Sequence, residues 1–193
     1  MSIAQAATPK TYNSLMEQIN STPLIRVVAG DLYSTKHHEF ISTGLGSCIA
    51  ACIWDPVQAI GGMNHFLLPT SQTSHEEALL SVPGRYGDNA MELLVHELLE
   101  LGAQRTNLKV KIFGGAVIKN SHNNIGEQNS RFVLDYCARQ GLEVLAKDIG
   151  AASSRRIIFS PQTGQVWMKR IAIQSPSQYP AVFKHDSIFN HCF

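Results

Sequence analysis

Charge is scarce in this chain of 193 residues: charged side chains make up 16% of it, where about 25% is usual for a soluble domain. Sixteen Lys+Arg against fifteen Asp+Glu leave a formal net charge of +1. Without a field of one sign, the chain has no electrostatic grip on nucleic acid or on an anionic membrane surface. Long apolar runs are missing too. Gly, Asp or His breaks each one well short of the roughly 20 residues that a membrane-spanning helix needs, so no direct membrane insertion is expected. The opening stretch MSIAQAATPKTYNSLMEQINSTP lacks the basic-then-apolar order of a secretory signal, which makes the cytoplasm the expected compartment. Cysteines number only four (Cys48, Cys52, Cys137 and Cys192), and in a cytoplasmic chain they read as free thiols rather than a disulfide scaffold. Zinc-ligand spacing, a Rossmann fingerprint, internal repeats and low-complexity tracts are all absent. Gly44-Leu45-Gly46-Ser47 is not followed by the Gly-Lys-Ser/Thr of a phosphate loop. No metal and no cofactor is expected.

What is present is a well-supplied core. Hydrophobic residues are 44% of the chain, and a domain of this length buries roughly 70% of the surface its unfolded chain exposes. Polar, mixed residues 1–23 and the proline-containing residues 172–193 read as terminal extensions. Between them, residues 24–171 alternate short β-like runs with two helical patterns. Strands are expected at 24–28, 39–43, 49–54, 63–68, 108–113, 142–147, 156–159 and 165–171. One helix is expected over 86–101, with Met91, Leu94, Val95 and Leu98 on its apolar face and Gly102 ending it. A second is expected over 127–140, with Phe132, Val133, Tyr136 and Cys137 inward and Gly141 after it. Most links between strands are too short for crossover helices. The expected class is therefore α+β, an α/β sandwich of mostly antiparallel strands with two long helices.

Chemistry concentrates between Ser42 and Pro69. If the strands at 49–54 and 63–68 form a hairpin around Asp55-Pro56-Val57-Gln58, then Trp54 faces Ala59, Ile53 faces Ile60, and Cys48 faces His65. Directly opposed residues hold their Cβ atoms about 4.5–5.5 Å apart, close enough for a thiol and an imidazole to share a proton. Such a pair is the nucleophile and base of acyl transfer. An imidazolium there lowers the thiol pKa, and the thiolate is the reactive species. Gly44 and Gly46 before the cysteine, and Gly61 and Gly62 before the histidine, leave room for an approaching backbone. Amides of the Gly46-Ser47-Cys48 turn are candidates to hold an oxyanion. Ser42 and Thr43 are the nearest candidates to orient the imidazole. Taken singly, a cysteine in an apolar run is most often a small core residue, and a histidine in a hydrophobic strand is most often a core residue too. Their joint occurrence with doubled glycines raises the functional reading. His37 and His38 read as solvated loop, His96 as an exposed helix position, and Cys137 as core.

Four segments resemble the CheD family of chemoreceptor glutamine deamidases. They are Gly44-Leu45-Gly46-Ser47-Cys48, Gly61-Gly62-Met63-Asn64-His65-Phe66-Leu67-Leu68-Pro69, Arg85-Tyr86-Gly87-Asp88-Asn89-Ala90-Met91 and Phe113-Gly114-Gly115-Ala116. The resemblance runs in the family's order over roughly residues 24–171. It implies Cys48 as nucleophile and His65 as base. The family's third catalytic residue, a threonine six positions before the cysteine, falls on Ser42, with Thr43 next to it. The family's IGxRN is Ile125-Gly126-Glu127-Gln128-Asn129 here, and its DLGGxxGR begins Asp148-Ile149-Gly150-Ala151 and ends at Arg155. The implied activity is hydrolysis of glutamine side chains on the cytoplasmic domains of methyl-accepting chemotaxis receptors, releasing ammonia and serving adaptation. A fold similar to the catalytic domain of the cytotoxic necrotizing factors is implied, as is a CheC-type phosphatase as a partner. Two other readings use the same residues: a docking module without catalysis, and a cysteine peptidase or acyltransferase.

Overall fold

The computed structural model describes residues 5–6, 17, 19, 21–70, 84–117, 124–172 and 191–192. The strands in chain order are β1 (Gln5–Ala6), β2 (Leu24–Arg26), β3 (Leu32–Thr35), β4 (Phe40–Leu45), β5 (Ile49–Asp55) and β6 (Ile60–Asn64). Helix α1 (Gly87–Glu100) and β7 (Lys109–Gly114) follow, then α2 (Ile125–Arg139), β8 (Glu143–Ile149), β9 (Ser153–Phe159), β10 (Val166–Ala172) and β11 (His191–Cys192). They build two sheets, ordered β1-β11-β10-β9-β4-β2 and β3-β6-β5-β7-β8. The pairs β2–β4 and β7–β8 are parallel, and the other ladders are antiparallel. Helix α2 lies between β7 and β8 in the chain, the long connection that a parallel pair requires. The architecture is an α+β sandwich, as expected.

Side-chain alternation explains the layering. β5 is buried at every position because it is central and covered on both faces. Its Ile49, Ala51 and Ile53 pack with Met91, Leu94, Val95 and Leu98 of α1 and with Val133 and Cys137 of α2. Ala50, Cys52 and Trp54 point the other way, into a second core with Ile41, Leu45, Ile157, Phe159 and Met168 of the six-stranded sheet. The molecule therefore stacks sheet on sheet on helices. No helix among the described residues is long and apolar enough to cross a membrane.

Two expectations shift. Strand β3 was not expected, since Leu-Tyr-Ser-Thr is short and half polar; the edge of β6 recruits it through backbone pairing. β6 begins at Ile60 and not at 63, so Gly61 and Gly62 are strand residues. They serve packing within the protein itself: a Cβ on Gly61 would lie 2.6 Å from the Pro161 carbonyl oxygen, and one on Gly62 would lie 2.6 Å from that of Tyr33. The expected extensions at 1–23 and 172–193 fall mostly outside the described residues. Within them, Gln5–Ala6 pairs with His191–Cys192, which pairs in turn with Trp167 and Met168 of β10.

The β8–β9 loop braces the far side of β7. Arg155, 1% exposed, donates to Asp148 Oδ1 at 2.8 Å and to the carbonyls of Ser153 and Gly150 at 2.6 Å each. Arg170 pairs with the second oxygen of Asp148. Ala151 holds φ at 58°, left-handed backbone, at a position where the resembled family carries glycine. Its carbonyl still accepts the amide of Val117 at 2.9 Å. Left-handed backbone costs a residue with a Cβ about 1–2 kcal/mol, partly offset by the extra freedom glycine has when unfolded. Ala151→Gly should therefore raise stability by about 0.5–1 kcal/mol in urea unfolding; an unchanged or lower midpoint would show that the loop carries no such strain.

Candidate active site

Strand pairing delivers the histidine. The β5–β6 ladder matches Cys52 with Met63, Ile53 with Gly62, Trp54 with Gly61 and Asp55 with Ile60. Ile49 and Phe66 then exchange backbone hydrogen bonds at 3.1 and 3.0 Å. The expected pairing of Ile53 with Ile60, and with it Cys48 directly opposite His65, is thus corrected by two positions. Asp55 causes the shift. Its Oδ1 accepts the amides of Val57 and Gln58 at 2.8 and 3.0 Å, so it caps the loop as the last strand residue and does not enter it. Ala59 closes the loop with φ at 54°. A slip of two keeps every side chain on its face, whereas a slip of one would have reversed them. In a regular ladder of this register Cys48 and His65 would be diagonal neighbours on one face, about 7–8 Å apart.

Past Met63 the ladder opens. Ala51 donates its amide not to a backbone carbonyl but to Asn64 Oδ1 at 2.9 Å, and Asn64 Nδ2 donates to the Ala90 carbonyl of α1 at 3.1 Å. The His65 backbone faces away from β5 in this register and bonds the segment before β3, donating to the Asp31 carbonyl at 2.9 Å and accepting from Gly30 N at 2.8 Å. The imidazole thereby crosses the gap between the sheets.

It meets Thr43, not Ser42. Thr43 Oγ1 lies 2.8 Å from His65 Nδ1 and donates its proton to the Val27 carbonyl at 2.7 Å. Having spent its proton, the hydroxyl can only accept, so Nδ1 carries the hydrogen and Nε2 presents a lone pair. That Nε2 is buried with no hydrogen-bond partner among the described residues. Ser42 points to the outer face of the six-stranded sheet, where its Oγ is 3.4 Å from the Ile25 carbonyl. The family position onto which Ser42 falls is therefore not the one that meets the imidazole. Alternation decides it: Ile41, Thr43 and Leu45 share the inward face of β4.

The turn between β4 and β5 carries Cys48, half-buried against the inter-sheet core. All of its carbonyls are pinned. Gly46 O accepts from Ala116 N at 2.8 Å, Cys48 O from Gly115 N at 2.8 Å, and Ser47 O from Asn129 Nδ2 at 3.0 Å. The amides of Gly46, Ser47 and Cys48 have no backbone acceptor among the described residues. A Cβ on Gly44 or Gly46 would meet no atom within 4 Å, which leaves the approach to the turn open.

Burial sets the charge state. It pulls the His65 imidazole down to about 4, opposed only in part by the Val27 carbonyl, and it pushes the Cys48 thiol above its ordinary value. The expected imidazolium that lowers the thiol pKa is accordingly not the resting state: both groups are neutral near pH 7. Elsewhere the readings stand close to the structure. His37, His38 and His96 are exposed, Cys137 is buried in the helix layer, and the side chain of Cys192 lies outside the described residues. Two buried carboxamides, Asn64 and Asn129, were not singled out. The signal for them was the improbability of burying asparagine without partners.

The family model described as CheD chemotactic sensory transduction matches residues 67–170. A probable chemoreceptor glutamine deamidase CheD of Vibrio vulnificus is 46% identical over 172 residues, spanning 86% of this chain and 80% of that protein. Proteins of the same name from Hydrogenovibrio crunogenus and Hahella chejuensis are 44% identical over 146 residues and 40% over 162. They cover 76% and 84% of this chain, and 76% and 77% of their own lengths. A solved Neisseria meningitidis structure of the DUF152 family model is more distant, at 6% identity and a TM-score of 0.43 over 78% of this chain and 79% of that one. By identity and coverage of these curated relatives, the chain belongs to the CheD family.

Proposed function

We propose that this chain hydrolyses the side-chain amide of protein glutamines to glutamate and ammonia, acting on the cytoplasmic domains of chemoreceptors. The observation that carries the reading is the Thr43–His65 hydrogen bond, which leaves a buried Nε2 with no hydrogen-bond partner among the described residues. The names of the curated relatives support the substrate. A cytoplasmic location, a role in chemotactic adaptation and a CheC-type phosphatase as second partner belong to the same reading.

In it, Cys48 Sγ attacks the carboxamide carbon while His65 Nε2 takes the thiol proton. The carbonyl oxygen becomes negative and is held by amides of the Gly46-Ser47-Cys48 turn. His65 returns the proton to the departing nitrogen, the C–N bond breaks, and ammonia leaves a thioester. Neutral His65 then takes a proton from water as its oxygen attacks the thioester carbon. The C–S bond breaks, the thiolate recovers its proton from His65, and glutamate is released. Thr43 holds the imidazole in the tautomer that both steps need.

The positions where the chain departs from the family's pattern lie clear of this machinery: Ser42 faces away, Gln128 is exposed on α2, and Ala151 keeps its carbonyl bond.

Three outcomes test the reading. Wild type incubated with a receptor cytoplasmic fragment should convert glutamines to glutamates by mass spectrometry with matching ammonia, and Cys48→Ala should convert none; binding without conversion by wild type would leave only the docking module. Thr43→Val should lower kcat roughly 10²-fold, with Ser42→Ala close to wild type; the reverse order would return the orienting role to Ser42. For pH, His65 is a base only when neutral, so the acid limb of kcat/KM should fall at about 4, below the ordinary imidazole value of 6.5. Iodoacetamide alkylation of Cys48 in the free enzyme should rise only above the ordinary thiol value; an inflection well below pH 8 would establish a resting thiolate–imidazolium pair instead.

A further inference from the structure

The peptide joining Ser47 to Cys48 is held at its carbonyl end, and its N–H has no backbone acceptor among the described residues. A trans peptide is planar, so its C=O and N–H point in opposite directions and fixing one aims the other; no peptide among the described residues is cis. Ser47 O is fixed by Asn129 Nδ2 at 3.0 Å, and the same nitrogen donates its second hydrogen to Leu67 O at 2.8 Å. Leu67 lies two residues past His65, so one carboxamide ties the nucleophile's turn to the base's strand.

Asn129 is 0% exposed, in the second turn of α2, and that helix is seated without slack. A Cβ on Gly126 would lie 2.3 Å from Ala116 O, and Ser130 Oγ donates back to Gly126 O at 2.7 Å. Two carbonyls facing Nδ2 settle the amide orientation, since the flipped group would set oxygen against oxygen. The consequence is that Asn129 Oδ1 is buried with no partner among the described residues. A buried acceptor left unpaired is costly, so stability alone favours an apolar side chain here.

We propose that Asn129 is a positioning residue for the oxyanion site: by holding the Ser47 carbonyl, it aims the Cys48 amide at the oxygen that turns negative when the thiol attacks. A hydrogen bond at the carbonyl also polarises the peptide and strengthens that amide as a donor. The proposal rests on the deamidase reading above.

Asn129→Leu removes the donor at similar volume. The test measures kcat and KM for conversion of a receptor cytoplasmic fragment, alongside the rate of Cys48 alkylation by iodoacetamide. Alkylation displaces iodide at a saturated carbon and develops no oxyanion, so it reads the nucleophile alone. The expected result is a kcat lowered roughly 10²-fold, with KM and the alkylation rate of wild type. An unchanged kcat, or alkylation falling in step with it, overturns the proposal. Asn129→Asp covers a Leu variant that fails to fold. Its carboxylate has no hydrogen to give, whereas its protonated form does, so kcat should be low at pH 8 and recover on mild acidification; wild-type kcat at pH 8 overturns the proposal. A wild type that converts no glutamine sinks the deamidase reading and this role with it, whereas an active wild type matched by Asn129→Leu sinks this role alone.

Discussion

Everything at the site depends on a hydrogen bond that spans two sheets. Thr43 belongs to the six-stranded sheet and His65 follows the last strand residue of β6 in the five-stranded one, yet their side chains meet at 2.8 Å. Packed sheets lie about 10 Å apart, a gap ordinarily filled by apolar side chains. Ala50, Met63, Ile157 and Phe159 fill it here, and near its end the filling gives way to one hydroxyl and one imidazole. The inter-sheet core thus sets the distance between hydroxyl and imidazole, and the Val27 carbonyl takes the hydroxyl proton, which fixes the imidazole tautomer.

Such a bond is possible because the ladder between β5 and β6 is allowed to fail at one point. Asn64 substitutes a side-chain oxygen for the missing carbonyl and satisfies Ala51, while the His65 backbone, which faces away from β5 in this register, bonds the Gly30–Asp31 turn. A buried carboxamide is an expensive way to fill a strand position. It is retained where the backbone must leave the sheet without orphaning a donor. Asn129 acts alike on the other side of the site, where it serves two carbonyls that belong to no ladder.

How far the sequence foretells this differs by layer. The helices and the core strands were legible because period and burial agree: Met91, Leu94, Val95 and Leu98 mark one helical face, and each is buried. Strand parity was legible too: the register moved by two positions, which keeps the paired side chains of β5 and β6 on the faces expected of them. The register was not, because it turns on whether Asp55 ends the strand or starts the loop, and an Asp-Pro pair is compatible with both. The choice of Thr43 over Ser42 was readable from the alternation of Ile41, Thr43 and Leu45. The resemblance pointed one residue away, since a motif aligns positions and the pleat decides faces. The two asparagines could not be placed because their partners are backbone carbonyls and amides, which leave no trace in residue identity.

Burial of the pair at neutral charge has a consequence for substrate choice. A resting thiolate–imidazolium pair would be ready to react with any electrophile that reached it, whereas a neutral thiol against a neutral imidazole gains little until a carbonyl is in place to receive the charge. The desolvation that pulls His65 down to about 4 raises the cost of separating charge in the empty site. In the proposed reaction it would also strengthen the turn amides against the oxyanion, because both act in the same low-dielectric surroundings. Reactivity is thereby tied to occupancy by a group that brings its own acceptor oxygen to the Gly46-Ser47-Cys48 turn. A side-chain carboxamide, projecting from a protein surface and needing no backbone opened around it, meets that requirement with the least rearrangement of either partner.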